Sequence, residues 1–281
     1  MKIIHSSTEM QACALGKILE GVKIALVPTM GFLHEGHLSL IKEGAKRADH
    51  LVMSIFVNPT QFGPGEDLAS YPRNFLKDTD LAKNAGVDVI FAPDADDLYP
   101  ENYQTYISLD NLPNHLCGIS RPGHFQGVAT VVAKLFNIVK PHVAIFGMKD
   151  YQQLAVIRQM TKDLNFDIEI IGAPTVREPD GLAMSSRNAY LSKDIRPSAL
   201  SIFKALKNAQ QLLRKGITDA AVIIDKTTML INAYEKTAID YISICDPKTL
   251  ENIEKIKKPV LMAMAVKIGD TRLIDNMIIN P

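Results

Sequence analysis

Five apolar runs of strand length, helical-period segments between them and a change of pattern near residue 174 predict an α/β fold. The expected architecture is a doubly wound parallel sheet followed by a smaller α+β domain, with domains at 1–176 and 177–281. The strand-like runs cover residues 24–27, 51–57, 87–92, 143–146 and 168–171. Between them, Leu38, Leu40, Ile41 and Ala45 line one helical stretch, and Phe75, Leu76, Leu81 and Ala82 a second. Val128, Val131, Val132, Leu135, Phe136 and Val139 make a strongly apolar third, and Leu154, Val156, Ile157 and Met160 a fourth. Right-handed crossovers favour the order 3-2-1-4-5. Its switch point falls between the first and fourth runs, where ligands bind beyond the carboxyl ends of the strands.

After about Pro174 the pattern differs. Glu178, Pro179, Asp180 and Gly181 signal a turn. A helix is expected from Arg196 and Pro197 to about Arg214, and another opens at Thr218 and runs to about Tyr234. Residues 239–244, 260–268 and 272–279 read as strands.

Composition narrows the function. Lys plus Arg equals Asp plus Glu at 31 each, so no basic excess points to nucleic acid, and any phosphate site must be local. Three widely spaced cysteines, Cys13, Cys117 and Cys245, form no CxxC pair and no disulfide framework. No apolar run is long enough to span a bilayer, and the N-terminus lacks a signal-peptide pattern, so a soluble cytoplasmic protein is expected.

The segment from Val27 through Met30, Gly31, Phe32, Leu33, His34, Glu35 and Gly36 to His37 carries the most chemistry. A buried strand, a glycine turn and a helix start form a phosphate-binding geometry, because first-turn N–H groups lack intrahelical partners and the dipole is positive there. Two imidazoles add donors able to move protons. The spacing is not HExxH, since position 38 is Leu, and no third metal ligand lies nearby; a helix cap beside a solvated histidine is the bland alternative. Lys149 places a charge where a buried strand ends, which suits a phosphate. Asp150 and Gln153 also fit a capping box that needs no ligand. The stretch with Met184, Ser185, Ser186, Arg187 and Asn188 reads as a flexible loop whose hydroxyls and guanidinium could clamp a polyphosphate, or as an ordinary interdomain loop. Asn58 and Gln61 offer carboxamides after the second run, and Arg121 and His124 precede the apolar third helix. Asp78 and Asp80 are read as surface helix residues, with Asp78 the candidate carboxylate beside a metal ion.

Six collinear motifs then resemble the pantoate–β-alanine ligase family: residues 28–37, 56–62, 71–73, 123–128, 146–153 and 184–188. That family sits among the HIGH-motif nucleotidyltransferases, so the resemblance implies a Rossmann-like fold and a carbon–nitrogen ligase of pantothenate (vitamin B5) and coenzyme A biosynthesis. It implies that pantoate attacks the α-phosphate of ATP to give pantoyl adenylate and pyrophosphate, and that β-alanine then displaces AMP. ATP would be a substrate with Mg²⁺ carried mainly by its phosphates, with no tightly bound organic cofactor, no nucleic acid or membrane partner, and a homodimeric assembly. The resemblance assigns ATP to residues 30–37, Gly147, Met148, Lys149, Asp150 and Val176, with Met184, Ser185, Ser186 and Arg187 as the counterpart of a KMSKS loop. His37 would be the proton donor, with His34 at the phosphates and Lys149 at the α-phosphate. Gln61 and Gln153 would bind pantoate, Gln61 also lying close to β-alanine, and Asn58, Tyr71, Arg121 and His124 are further substrate-site candidates. Met148 stands where many family members carry Glu. The rival expectations are another HIGH-type nucleotidyltransferase and a non-catalytic nucleotide-binding protein.

Overall fold

The computed structural model describes residues 1–281. The first elements are β1 (Lys2–Ile4), α1 (Ser7–Leu19), β2 (Ile24–Thr29), α2 (Glu35–Ala45), β3 (His50–Ile55), α3 (Phe75–Asn84), β4 (Val89–Phe91) and α4 (Ala95–Leu98). They are followed by α5 (Cys117–Ser120), α6 (His124–Val139), β5 (Val143–Gly147), α7 (Tyr151–Asp163) and β6 (Glu169–Ala173). The chain ends with α8 (Arg196–Arg214), α9 (Ala220–Asn232), β7 (Thr237–Cys245), β8 (Val260–Ile268) and β9 (Thr271–Ile279).

A parallel six-stranded sheet has the order β1-β4-β3-β2-β5-β6. The five expected strands keep their expected sequence of neighbours, but the order 3-2-1-4-5 lacked an edge strand. Lys2–Ile4 pairs with β4 outside the third run, and three residues are too few to carry a period. The inner strands β2 and β5 are buried on both faces, as near-continuous apolar runs in a parallel sheet should be. Val27, Ile41, Met53, Ile90 and Ile145 belong to one core on this sheet.

Pro28 explains where the sheet opens. The Thr29 carbonyl accepts from the Phe56 N–H on the β3 side, so its neighbour Pro28 turns its missing donor toward β5. The register agrees: β2 follows β3 through Thr29 but β5 only through Leu26. The two strands part at the topological switch.

One expected stripe was half right, since Leu81 and Ala82 join the core but Phe75 and Leu76 do not. On α3, Leu76 is 80% exposed and Phe75 is also exposed, while Asp78 and Ala82 are buried. Asp78 turns inward because its carboxylate has backbone partners there, described below.

Contacts divide the chain into two compact units. One comprises Met1–Leu109, Arg121–Met148 and Gln153–Pro174; the other comprises Asp110–Ser120, Lys149–Gln152 and Thr175–Pro281. A single cut at 176 did not anticipate the two short segments that join the second unit. In that unit β7, β8 and β9 form an antiparallel sheet, and α8 and α9 supply Ile202, Leu206 and Ile223 to a core shared with Met262, Met264 and Val266. Helix α8 spans the expected residues; α9 is capped by Asp219 rather than Thr218, the Asp219 carboxylate accepting from Val222 N.

Candidate active site

Beyond the carboxyl end of β2, Thr29 Oγ1 donates to the Ser54 carbonyl at 2.7 Å and accepts from Gly31 N at 3.2 Å. The chain then takes two left-handed residues, Gly31 at φ 82° and Phe32 at φ 52°. A side chain at Gly31 would lie 3.0 Å from Asp78 Oδ2, so this position needs glycine for both conformation and space. The left-handed turn points the N–H groups of Phe32 and Leu33 at Asp78, whose two oxygens accept them at 2.7 Å each. Asp78 is therefore not a surface residue. It is the resident anion of the turn.

His34 is the N-cap of α2. Its Nδ1 accepts from Gly36 N at 3.1 Å, and the Nδ1 of His37 accepts from His34 N at 3.3 Å. The rings lie with centroids 4.1 Å apart. This is a capping box built from two imidazoles. With both Nδ1 atoms accepting, each neutral ring carries its proton on Nε2. His37 N and Leu38 N bond to the His34 carbonyl. The expected phosphate cradle of backbone N–H groups is thus largely engaged by the protein itself.

The turn after β3 is packed tightly. Asn58 caps the 3-10 turn Pro59–Gln61 and is 1% exposed; its amide donates to Gln61 Oε1 and to the Gly127 carbonyl, each at 3.1 Å. Gln61 Nε2 in turn donates to Met30 Sδ at 3.1 Å, which ties the carboxamide to the histidine segment. A Cβ on Gly127 would fall 2.3 Å from the Thr60 carbonyl oxygen, so α6 approaches the turn backbone to backbone. Tyr71 is buried with its ring edge-on to Phe62.

Arg121 and His124 face protein groups. Arg121 holds Glu66 in a two-pronged pair of 2.7 and 2.6 Å and donates from Nη1 to His124 Nε2 at 2.9 Å. Burial pushes the Glu66 carboxyl up, but the hydrogen bonds and charge of Arg121 hold it net below the usual carboxylate range.

Residues Met148–Asp150 form a 3-10 turn that runs straight into α7, so Asp150 lies inside a helical run rather than at a free cap. Lys149 Nζ lies 3.8 Å from Asp150 Oδ1, and its carbonyl accepts from Asn276 Nδ2 at 2.8 Å. Gln152, which the sequence reading passed over, is 5% exposed and organises the chain at 112–117: it donates to the Leu112 and His115 carbonyls and accepts from Cys117 N. Its neighbour Gln153, on the opposite side of the split between units, is half-buried.

The expected flexible loop is structured. Met184 N donates to the Val176 carbonyl at 2.9 Å, Arg177 bridges Ala183, and residues Ser186–Tyr190 form a 3-10 turn capped by Ser185. Asn188 ties that turn to Glu178 and the Ala183 carbonyl. Val176 and Met184 are therefore neighbours across one small hairpin.

No group of three or more His, Cys, Asp or Glu side chains gathers in a metal-binding arrangement.

A parallel sheet that opens at its switch point onto a histidine-capped helix and a buried carboxamide defines an α/β enzyme of the kind that works on an anionic small molecule. The comparisons specify which. Residues 2–278 match the family model described as pantoate-beta-alanine ligase. The chain is 59% identical to the pantothenate synthetase of Desulfatibacillum aliphaticivorans, with 100% of each covered, and 54% identical to that of Geobacter sulfurreducens, with 99% of each covered. The structure of pantoate-beta-alanine ligase (pantothenate synthetase) from Thermus thermophilus superposes with a TM-score of 0.95 at 41% identity over 100% of both chains. That of the Francisella tularensis ligase, complexed with beta-gamma ATP and beta-alanine, gives 0.81 at 35% identity, covering 99% of this chain and 97% of that one. The chain belongs to the pantoate–β-alanine ligase family.

Proposed function

We propose that the chain joins pantoate to β-alanine with ATP and Mg²⁺ through a pantoyl adenylate. A pantoate carboxylate oxygen attacks the α-phosphorus, and the bond to pyrophosphate breaks. The β-alanine amine then attacks the acyl carbon, the bond from that carbon to the AMP oxygen breaks, and the amine sheds a proton. No protein nucleophile is needed.

The observation that carries this reading is the bond from Gln61 to Met30, which joins a buried carboxamide to the segment bearing both imidazoles. A carboxamide suits the hydroxyls and carboxylate of pantoate, and such a site rejects analogues that lack them. In this reading Gln61 and Gln153 hold pantoate, with Asn58 fixing Gln61 and Tyr71 lining the same turn. His34 and His37 donate from Nε2 to phosphate oxygens, and Lys149 supplies a fixed charge to the α-phosphate. Asp150 holds the ribose, Val176 the adenine, and Ser185, Ser186 and Arg187 the departing pyrophosphate. Each such donor is worth on the order of 10²–10³ in rate. His37 with its proton on Nε2 serves better as a neutral donor than as a general acid.

Mg²⁺ would be held mainly by phosphate oxygens. Residues 1–176 would be the ATP- and pantoate-binding catalytic domain and residues 177–281 the lid. A cytoplasmic location suits three free thiols, and a homodimer follows the family resemblance.

The test is an omission series with ATP, Mg²⁺, pantoate and β-alanine. AMP should accumulate over many turnovers only when all four are present. AMP release that ignores pantoate, or no AMP at all, overturns the proposal.

A further inference from the structure

Gln61 is fixed twice. Asn58 and Met30 hold its side chain, and a second set of groups holds its backbone. His124, 9% exposed, donates from Nδ1 to the Gln61 carbonyl at 2.7 Å. The direction of that bond follows from Arg121. A guanidinium only donates, so His124 Nε2, 2.9 Å from Arg121 Nη1, must accept and the ring proton must sit on Nδ1. Arg121 Nη2 also reaches the Gln61 carbonyl at 3.4 Å. Arg121 is itself oriented by both oxygens of Glu66, a residue that no sequence motif singled out. The order is Glu66, Arg121, His124, Gln61, each group setting the orientation of the next.

We propose that Glu66, Arg121 and His124 are positioning residues that aim Gln61 at pantoate, and that none of the three contacts a substrate. The proposal rests on the reading of Gln61 as a pantoate ligand. Arg121 and His124 enter the sequence argument as substrate-site candidates, yet their donors and acceptors here engage Glu66, each other and Gln61.

Two amide substitutions at one position make the test. Asn at position 124 puts an N–H close to where Nδ1–H stood; Gln puts its amide near the place of Nε2 and leaves the Gln61 carbonyl without its donor. H124Q should raise the KM for pantoate about tenfold, with the KM for ATP changed less than about twofold. H124N should stay within about threefold of the wild type on both. E66Q should raise the pantoate KM several-fold in the same selective way, and its effect should shrink below about twofold in a Q61A background, because residues acting through one group are not additive. Equal losses in H124N and H124Q, or an E66Q effect undiminished in Q61A, overturn the relay. Failure of the underlying reading looks different: Q61A would then leave the pantoate KM of the parent enzyme unmoved.

Discussion

Asp78 decides the shape of the histidine segment. Its two short hydrogen bonds to Phe32 N and Leu33 N hold the left-handed turn that delivers His34 to the start of α2. An Asn there keeps the size but turns an amide against one of two N–H groups. D78N should therefore destabilise the fold by about 1–3 kcal/mol and lower kcat, while the Mg²⁺ concentration giving half activity stays at the wild-type value. Thermal unfolding and a Mg²⁺ titration check this; a shifted Mg²⁺ requirement with unchanged stability would make Asp78 a metal ligand instead. The residue also shows what sequence hides. His34, His37 and Gln61 were legible because their types stand out at strand ends. Asp78, Glu66 and Gln152 were not, because a carboxylate on an exposed-looking helix or a glutamine beside another looks ordinary until a buried partner is known.

Among the elements, the contact between α6 and the turn Pro59–Gln61 sets the precision of the site. Gly127 permits it: a methyl group would meet the Thr60 carbonyl carbon at 2.5 Å and the Gln61 nitrogen at 2.7 Å, and backbone cannot move aside as a side chain can. Gly127→Ala should cost about 1–3 kcal/mol or more and push the turn away from α6, raising the pantoate KM. Urea unfolding with a steady-state assay measures both; unchanged stability would mean the turn shifts freely and the close approach is not a constraint. Strand and helix existence was legible at this scale wherever apolar runs were long, as in β2, β5, α6 and α8. The short β1 and the inward face of α3 were not, since the first has no period to detect and the second buries a charge.

For the whole molecule, the relative order of the five expected strands and the switch point followed from alternation and handed crossovers, while the edge strand β1 did not, and Pro28 shows why the sheet opens there. The assignment of Asp110–Ser120 and Lys149–Gln152 to the second unit was not legible, because contacts such as that from Gln152 to the Leu112 and His115 carbonyls link segments remote in sequence. The central claim is that pantoate is activated as an acyl adenylate. Pantoate labelled with ¹⁸O in its carboxylate tests it most directly, with mass spectrometry of the AMP and pantothenate released. One labelled oxygen should appear in the AMP phosphate for each pantothenate formed. AMP free of label, with all label retained in pantothenate or lost to water, would contradict the account.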